Sequence, residues 1–127
     1  MAEPAFGILL RHLREERKLS LREVAELAEV DHSYIYRLET GEKDSPSEDV
    51  IKRLIKVLKP NPREREMLQF LADHAETDPA LVQYSLENAN VKFEEFESAA
   101  GVRFRGRARP DPAILIERIR KLFGEEA

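Results

Sequence analysis

The sequence predicts an all-α protein, and three observations carry that prediction. Helix-start signals recur along the chain: Ser20 with Glu23 three residues on, and the pairs Asn61-Pro62, Asp78-Pro79 and Asp111-Pro112. A side-chain oxygen at the N-cap accepts a backbone N–H that the helix leaves unpaired, and proline at the first helical position gives up only an N–H that had no partner. Apolar residues return at spacings of three and four, the period of one helix face. Glycine is scarce, five residues in 127, and Gly41, Gly101 and Gly124 fall where helices should stop.

Each element follows from these signals. A first helix over 5–17 carries the stripe Leu9, Leu10 and Leu13. The Ser20–Glu23 capping box opens a second helix over 21–28, with Leu21, Val24, Leu27 and Ala28 expected inward. A third helix over 32–40 is capped by Asp31 and turns Ile35 and Leu38 inward; a fourth over 48–58 does the same with Val50, Leu54, Ile55 and Leu58. A fifth over 62–76 has Met67, Leu68 and Leu71 on one side. Three weaker segments follow, over 79–88, 91–100 and 112–123. The second of them groups Phe93, Phe96 and Ala100 and has an acidic face of Glu94, Glu95 and Glu97. The last is apolar at Ile114, Leu115, Ile116, Ile119, Leu122 and Phe123.

Composition narrows the function classes. The apolar fraction, 42%, suffices for a core, and the formal net charge of -4 is spread so that neither half is a basic tail. A nucleic-acid site must therefore be a local patch rather than a global field. The absence of cysteine removes disulfides, zinc-thiolate sites and cysteine nucleophiles together. No apolar run reaches the roughly 18 residues of a membrane span, and the amino-terminal run is too short for a signal peptide, so a cytoplasmic protein without a membrane partner is expected. The histidines His12, His32 and His74 show no pair at metal-ligand spacing and no His-Glu-x-x-His. Asp73-His74 reads as a solvated helix face. With no Gly-rich phosphate loop and no nucleophile elbow, no enzyme activity, cofactor or metal is expected.

The second and third helices are separated by only Glu29, Val30 and Asp31. So short a turn forbids side-by-side packing, and the small Ala25 suits a close, steep crossing. The third helix then projects and can enter a major groove. With Ile35 and Leu38 inward, its other face presents His32, Ser33, Tyr36, Arg37 and Thr40. These types suit contacts to base edges and phosphates. An amphipathic helix pair inside an ordinary all-α core fits the same pattern; Tyr34 and Tyr36, both expected to be exposed on so short a helix, favour a binding surface.

The stretch "LREERKLSLREVAELAEVDHSYIYRLETGEKDSPSEDVIKRLIKVL" resembles the Cro/CI-like, or Xre-type, helix-turn-helix family. The resemblance rests on an Arg ahead of Leu-Ser, a Glu-x-Ala-x-x-Ala helix, a Ser-Tyr-Ile helix ending in Leu-Glu-x-Gly, and a Pro-Ser opening the fourth helix. It covers about residues 5–59. It implies a five-helix lambda-repressor-like DNA-binding domain that acts as a dimeric regulator on double-stranded DNA. His32 and Ser33 then fall where bases are read, with Tyr36 and Arg37 one turn later, and Tyr34 where phosphates are held. Arg14 and Glu39 fall where the family has a structural ion pair. Two features depart from the family. Leu21 stands where a phosphate-holding Gln is common, which passes that role to Arg22 or to bare backbone N–H groups. The loop after the third helix offers Lys43 among acidic residues. Both departures imply weak non-specific affinity.

The carboxy-terminal half admits two readings. Its last helix carries more apolar surface than a free helix should expose, so it packs on its own chain or forms a dimer interface. A two-fold DNA site needs two copies, which favours a homodimer through Ile116, Ile119, Leu122 and Phe123. The segment "FRGRARPDPAILIERIRKL" resembles the end of Xre-type repressors controlled by ImmA/IrrE-type metallopeptidases, the DdrO-like regulators. That resemblance implies a regulatory protease partner and a locus at Phe104, Arg105 and Gly106, where cleavage would detach the last helix. The arginine run Arg103, Arg105, Arg107 and Arg109 reads first as a charge-paired strand or loop facing Glu94, Glu95 and Glu97. A regulatory segment and a DNA arm remain open. The reading is thus a DNA-binding domain over 1–59 and a helical extension over 60–127, together a dimeric repressor. The alternatives are an antitoxin-like autoregulator that also binds a partner protein, and an interaction module that does not bind DNA.

Overall fold

The computed structural model describes residues 4–42, 46–102 and 110–124. Among them run α1 (Ala5–Glu16), α2 (Leu21–Ala28), α3 (His32–Thr40), α4 (Glu48–Leu58), α5 (Pro62–Asp73), α6 (Pro79–Glu87), α7 (Phe93–Ala100) and α8 (Pro112–Gly124), and no strand. Lys43, Phe104, Arg105 and Gly106 lie outside the described residues, as does the run Arg103–Arg109.

The helix starts follow the cap chemistry. The Ser20 hydroxyl accepts the Glu23 N–H at 3.1 Å while the Glu23 carboxylate accepts the Ser20 N–H at 2.8 Å. Asn61 and Glu64 make the same reciprocal pair at 2.8 and 3.0 Å. Asp111 accepts the Ala113 N–H at 2.8 Å. Asp31 departs from expectation: it occupies the N-cap of α3, but its side chain makes no capping hydrogen bond. Its carboxylate instead lies 3.7 Å from His32 Nδ1. The helix ends need glycine less than the sequence implies. Gly41 is left-handed at φ 91°, but Gly101 is an ordinary right-handed residue, and Glu29 and Lys59 adopt the left-handed conformation without being glycine.

The described residues fall into two compact units divided after Pro79. In the first, α1 packs on α3 and α5, α2 on α3 and α4, and α4 on α5. The expected boundary after residue 59 therefore lies inside this unit, because α5 buries Met67, Leu68 and Leu71 with the preceding helices. α5 also ends earlier than expected, at Asp73, where the His74 backbone leaves the helical region. Leu9, Leu10, Leu13, Ile35, Leu38, Leu54 and Leu58 are fully buried, each worth about 1.5–3 kcal/mol relative to exposure. Two expected stripes are corrected. The inward face of α2 is Val24, Ala25 and Ala28; Leu21 is half-buried and Leu27 is 61% exposed, on the flank beside Arg53, Lys56 and Val57. α4 buries Ile51 with Leu54 and Leu58, leaving Val50 and Ile55 half-buried.

One close approach sets the α1–α3 crossing. A Cβ at Gly7 would sit 2.8 Å from the Glu39 carbonyl carbon, so only glycine lets α1 pass the end of α3.

In the second unit α7 packs on α8, and Leu81, Val82, Val91, Phe96, Ala99, Ile116 and Ile119 are buried. Ile116 and Ile119 are therefore core residues of their own chain rather than an interface, because they sit on the side of α8 that is buried. Leu122, Phe123 and Ile114 stay exposed, at 63%, 41% and 47%. Glu95 is not part of an acidic surface either. It is buried, accepts the Lys92 N–H at 2.9 Å, and pairs with Arg120 Nε at 3.0 Å. Burial alone would raise its carboxyl; the Lys92 N–H and the Arg120 guanidinium outweigh that and hold it below the ordinary carboxylate range. No described helix is long and apolar enough to cross a membrane.

Candidate nucleic-acid interface

The turn between α2 and α3 is built from backbone hydrogen bonds. Glu29 takes the left-handed conformation at φ 59°, its N–H donates to Glu26, and the Val30 N–H donates to the Ala25 carbonyl at 2.9 Å. This is the Schellman arrangement, which stops α2 abruptly and sends the chain off at a steep angle. Arg53 of α4 adds a brace from outside the motif: its Nη1 donates to the Glu29 carbonyl at 3.2 Å. Arg17 does the same for the end of α4, with Nε donating to the Leu58 carbonyl at 2.8 Å. Both arginines satisfy carbonyls that a helix end leaves unpaired.

α3 is anchored on one side and open on the other. Ile35 and Leu38 are 0% and 1% exposed, whereas Tyr36 is 52% exposed. His32 and Thr40 are exposed, and Ser33, Tyr34 and Arg37 are half-buried. Tyr34 is thus less exposed than the sequence implies. Burial pushes its hydroxyl above the ordinary tyrosine range, against a smaller opposite pull from Arg37, so it stays protonated and able to donate. Arg37 is held part-way into the protein, with Nε buried and without a hydrogen-bond partner among the described residues.

Arg22 of α2 and His32 of α3 line one shallow groove together with Ala25, Glu26, Val30 and Asp31. The structure thus brings Arg22 beside the amino-terminal end of α3. There Asp31 leaves the first-turn N–H groups without a side-chain cap. Uncapped N–H groups at a helix start suit an anion. Glu26 and Asp31 put two carboxylates on the same groove, which limits any attraction to a phosphate backbone.

Behind this face lies the pair Arg14–Glu39. Nε donates to Oε2 at 2.7 Å and Nη2 to Oε1 at 3.1 Å, a bidentate contact between α1 and α3. Nη1 also donates to the Leu19 carbonyl at 2.9 Å. The hydrogen bond to Glu39 raises the Arg14 pKa further, against a smaller effect of burial. With both side chains largely removed from water, the pair fixes how α3 is presented.

Sequence reasoning missed Gly7, Arg17 and Arg53. Each acts on a backbone atom far along the chain, and nothing local to the residue signals it.

A profile of the helix-turn-helix domain family matches residues 5–68. The chain is 30% identical, over 74% of its length, to a Bacillus subtilis (strain 168) protein named uncharacterized HTH-type transcriptional regulator RghRB. It is 42% identical, over 43% of its length, to the HTH-type transcriptional repressor RghR of the same organism. The chain spans 66% and 41% of the lengths of these two relatives.

Proposed function

Because the chain belongs to the helix-turn-helix domain family, we propose that it is a sequence-specific DNA-binding transcriptional regulator, a dimeric repressor that reads the major groove with α3. The observation that carries this reading is the two-sidedness of α3. Ile35 and Leu38 lock one side into the core, while His32, Tyr36 and Thr40 stand in solvent on the other. A helix held this way can enter a groove about 12 Å wide without disturbing the core. Ser33 and Arg37 extend the base-reading side, and Tyr34 and Arg22 serve phosphates. Lys43 completes the set from the loop after α3. The names of the two relatives, a regulator and a repressor, agree with this assignment.

The dimer forms through the second unit, where Ile114, Leu122 and Phe123 of α8 are exposed apolar side chains. Two copies present two α3 helices to a two-fold site. Selection of duplexes from a random pool tests both parts. It should enrich a palindrome with half-sites about one helical turn, roughly 34–36 Å, apart. With two or three phosphate partners per copy, log K against log salt should fall with a slope of about -4 to -5. An unpaired half-site would contradict the dimer, and a slope near zero would contradict DNA binding.

A further inference from the structure

Outside the α3 face, α1 and α5 bring together three metal-ligating side chains that play no part in the DNA reading. A ring nitrogen of His12 and carboxylate oxygens of Glu16 and Glu64 all lie within 4.8 Å of one another. We propose that these three residues form a site for a zinc-class divalent ion that clamps α1 to α5.

Two observations beyond proximity support the site. The first is spacing. His12 Nε2 and Glu16 Oε2 are 3.4 Å apart. That is long for a charge-assisted hydrogen bond, which runs about 2.7–2.9 Å. It matches two ligands of one tetrahedral zinc: bonds of about 2.0–2.1 Å at the tetrahedral angle put the ligand atoms roughly 3.3–3.4 Å apart. The imidazole favours zinc over magnesium.

The second observation is the burial of Glu64. It is 8% exposed, and among the described residues no lysine or arginine pairs with it. A carboxylate removed from water needs a cation or several donors. The Asn61 N–H donates to Glu64 Oε1 at 3.0 Å, which fixes the carboxylate as an outer partner fixes a metal ligand. Glu16, with its side chain 54% exposed, has the rotamer freedom to close the remaining gap. Three protein ligands leave one tetrahedral position to water. The spacing of His12 and Glu16, one helical turn apart, is visible in sequence; Glu64 is not, because only the packing of α5 on α1 brings it in.

The proposal does not rest on DNA binding, and its test is calorimetric titration of the full chain with zinc ion. One equivalent per chain should bind, magnesium should not compete, and zinc should raise the melting temperature. His12→Ala and Glu64→Gln should each weaken binding by more than about tenfold, a lower bound set by what loss of an outer-shell partner alone costs. Glutamine preserves the capping box, so E64Q should still fold. His74→Ala, on an exposed residue elsewhere, should bind as the unaltered chain does. No zinc binding would overturn the site. Binding that survives either H12A or E64Q, or that H74A abolishes, would overturn the assignment of ligands.

Discussion

Arg14 and Glu39 show how a single contact decides the presentation of α3. Their side chains are 13% and 9% exposed and joined by two hydrogen bonds. Removing one partner leaves the other charge buried and unpaired, which costs about 3–5 kcal/mol. Arg14→Ala and Glu39→Ala should each lower stability by that amount in chemical denaturation. The double variant should cost less than the sum, because its second change removes the stranded charge. Additive losses would mean that the pair does not act as a unit. This contact is legible in sequence only through family resemblance. Gly7, which meets the backbone of the same Glu39, is not legible at all: a glycine needed for close approach looks like any other until the neighbouring helix is in place.

Individual elements were largely written in their caps. Ser20, Asn61 and Asp111 accept the N–H groups that the sequence assigns to them. What the caps and the periodicity do not decide is which flank of a short helix is covered. Leu27 is apolar and in phase with Val24, yet it faces solvent, because eight residues give α2 only a narrow buried stripe. Glu95 errs in the other direction: an acid among acids, it is buried because Arg120 and the Lys92 N–H receive it. Its lowered pKa gives a stability term with a definite sign. The unfolded chain binds the proton more readily, so the term is present above the unfolded pKa and is lost as pH falls through the lower folded value. Denaturation midpoints across the acid range should therefore decline less steeply in Glu95→Gln. At neutral pH that variant should lose roughly 1.5 kcal/mol, the low end for a charged hydrogen bond, since the Arg120 side chain is 37% exposed. Equal acid limbs would show that the pair contributes nothing.

At the scale of the whole molecule, the first unit was more legible than the second. Its turn length, its small residue at Ala25 and its two-sided third helix are all local patterns, and the helix-turn-helix profile covers α1 through most of α5. The second unit has no such pattern. Ile116 and Ile119 are as apolar as Leu122 and Phe123, and only the packing of α8 on α7 separates core from surface. Whether the open face of α3 reads bases decides the function. The direct measurement compares Arg37→Ala with the unaltered chain on a selected duplex and on a scrambled one, the two proteins having equal melting temperatures. A loss of about 1–3 kcal/mol is expected on the selected duplex, the worth of a good base contact, and little change on the scrambled one. An equal loss on both would make Arg37 a phosphate contact and contradict base reading at this position.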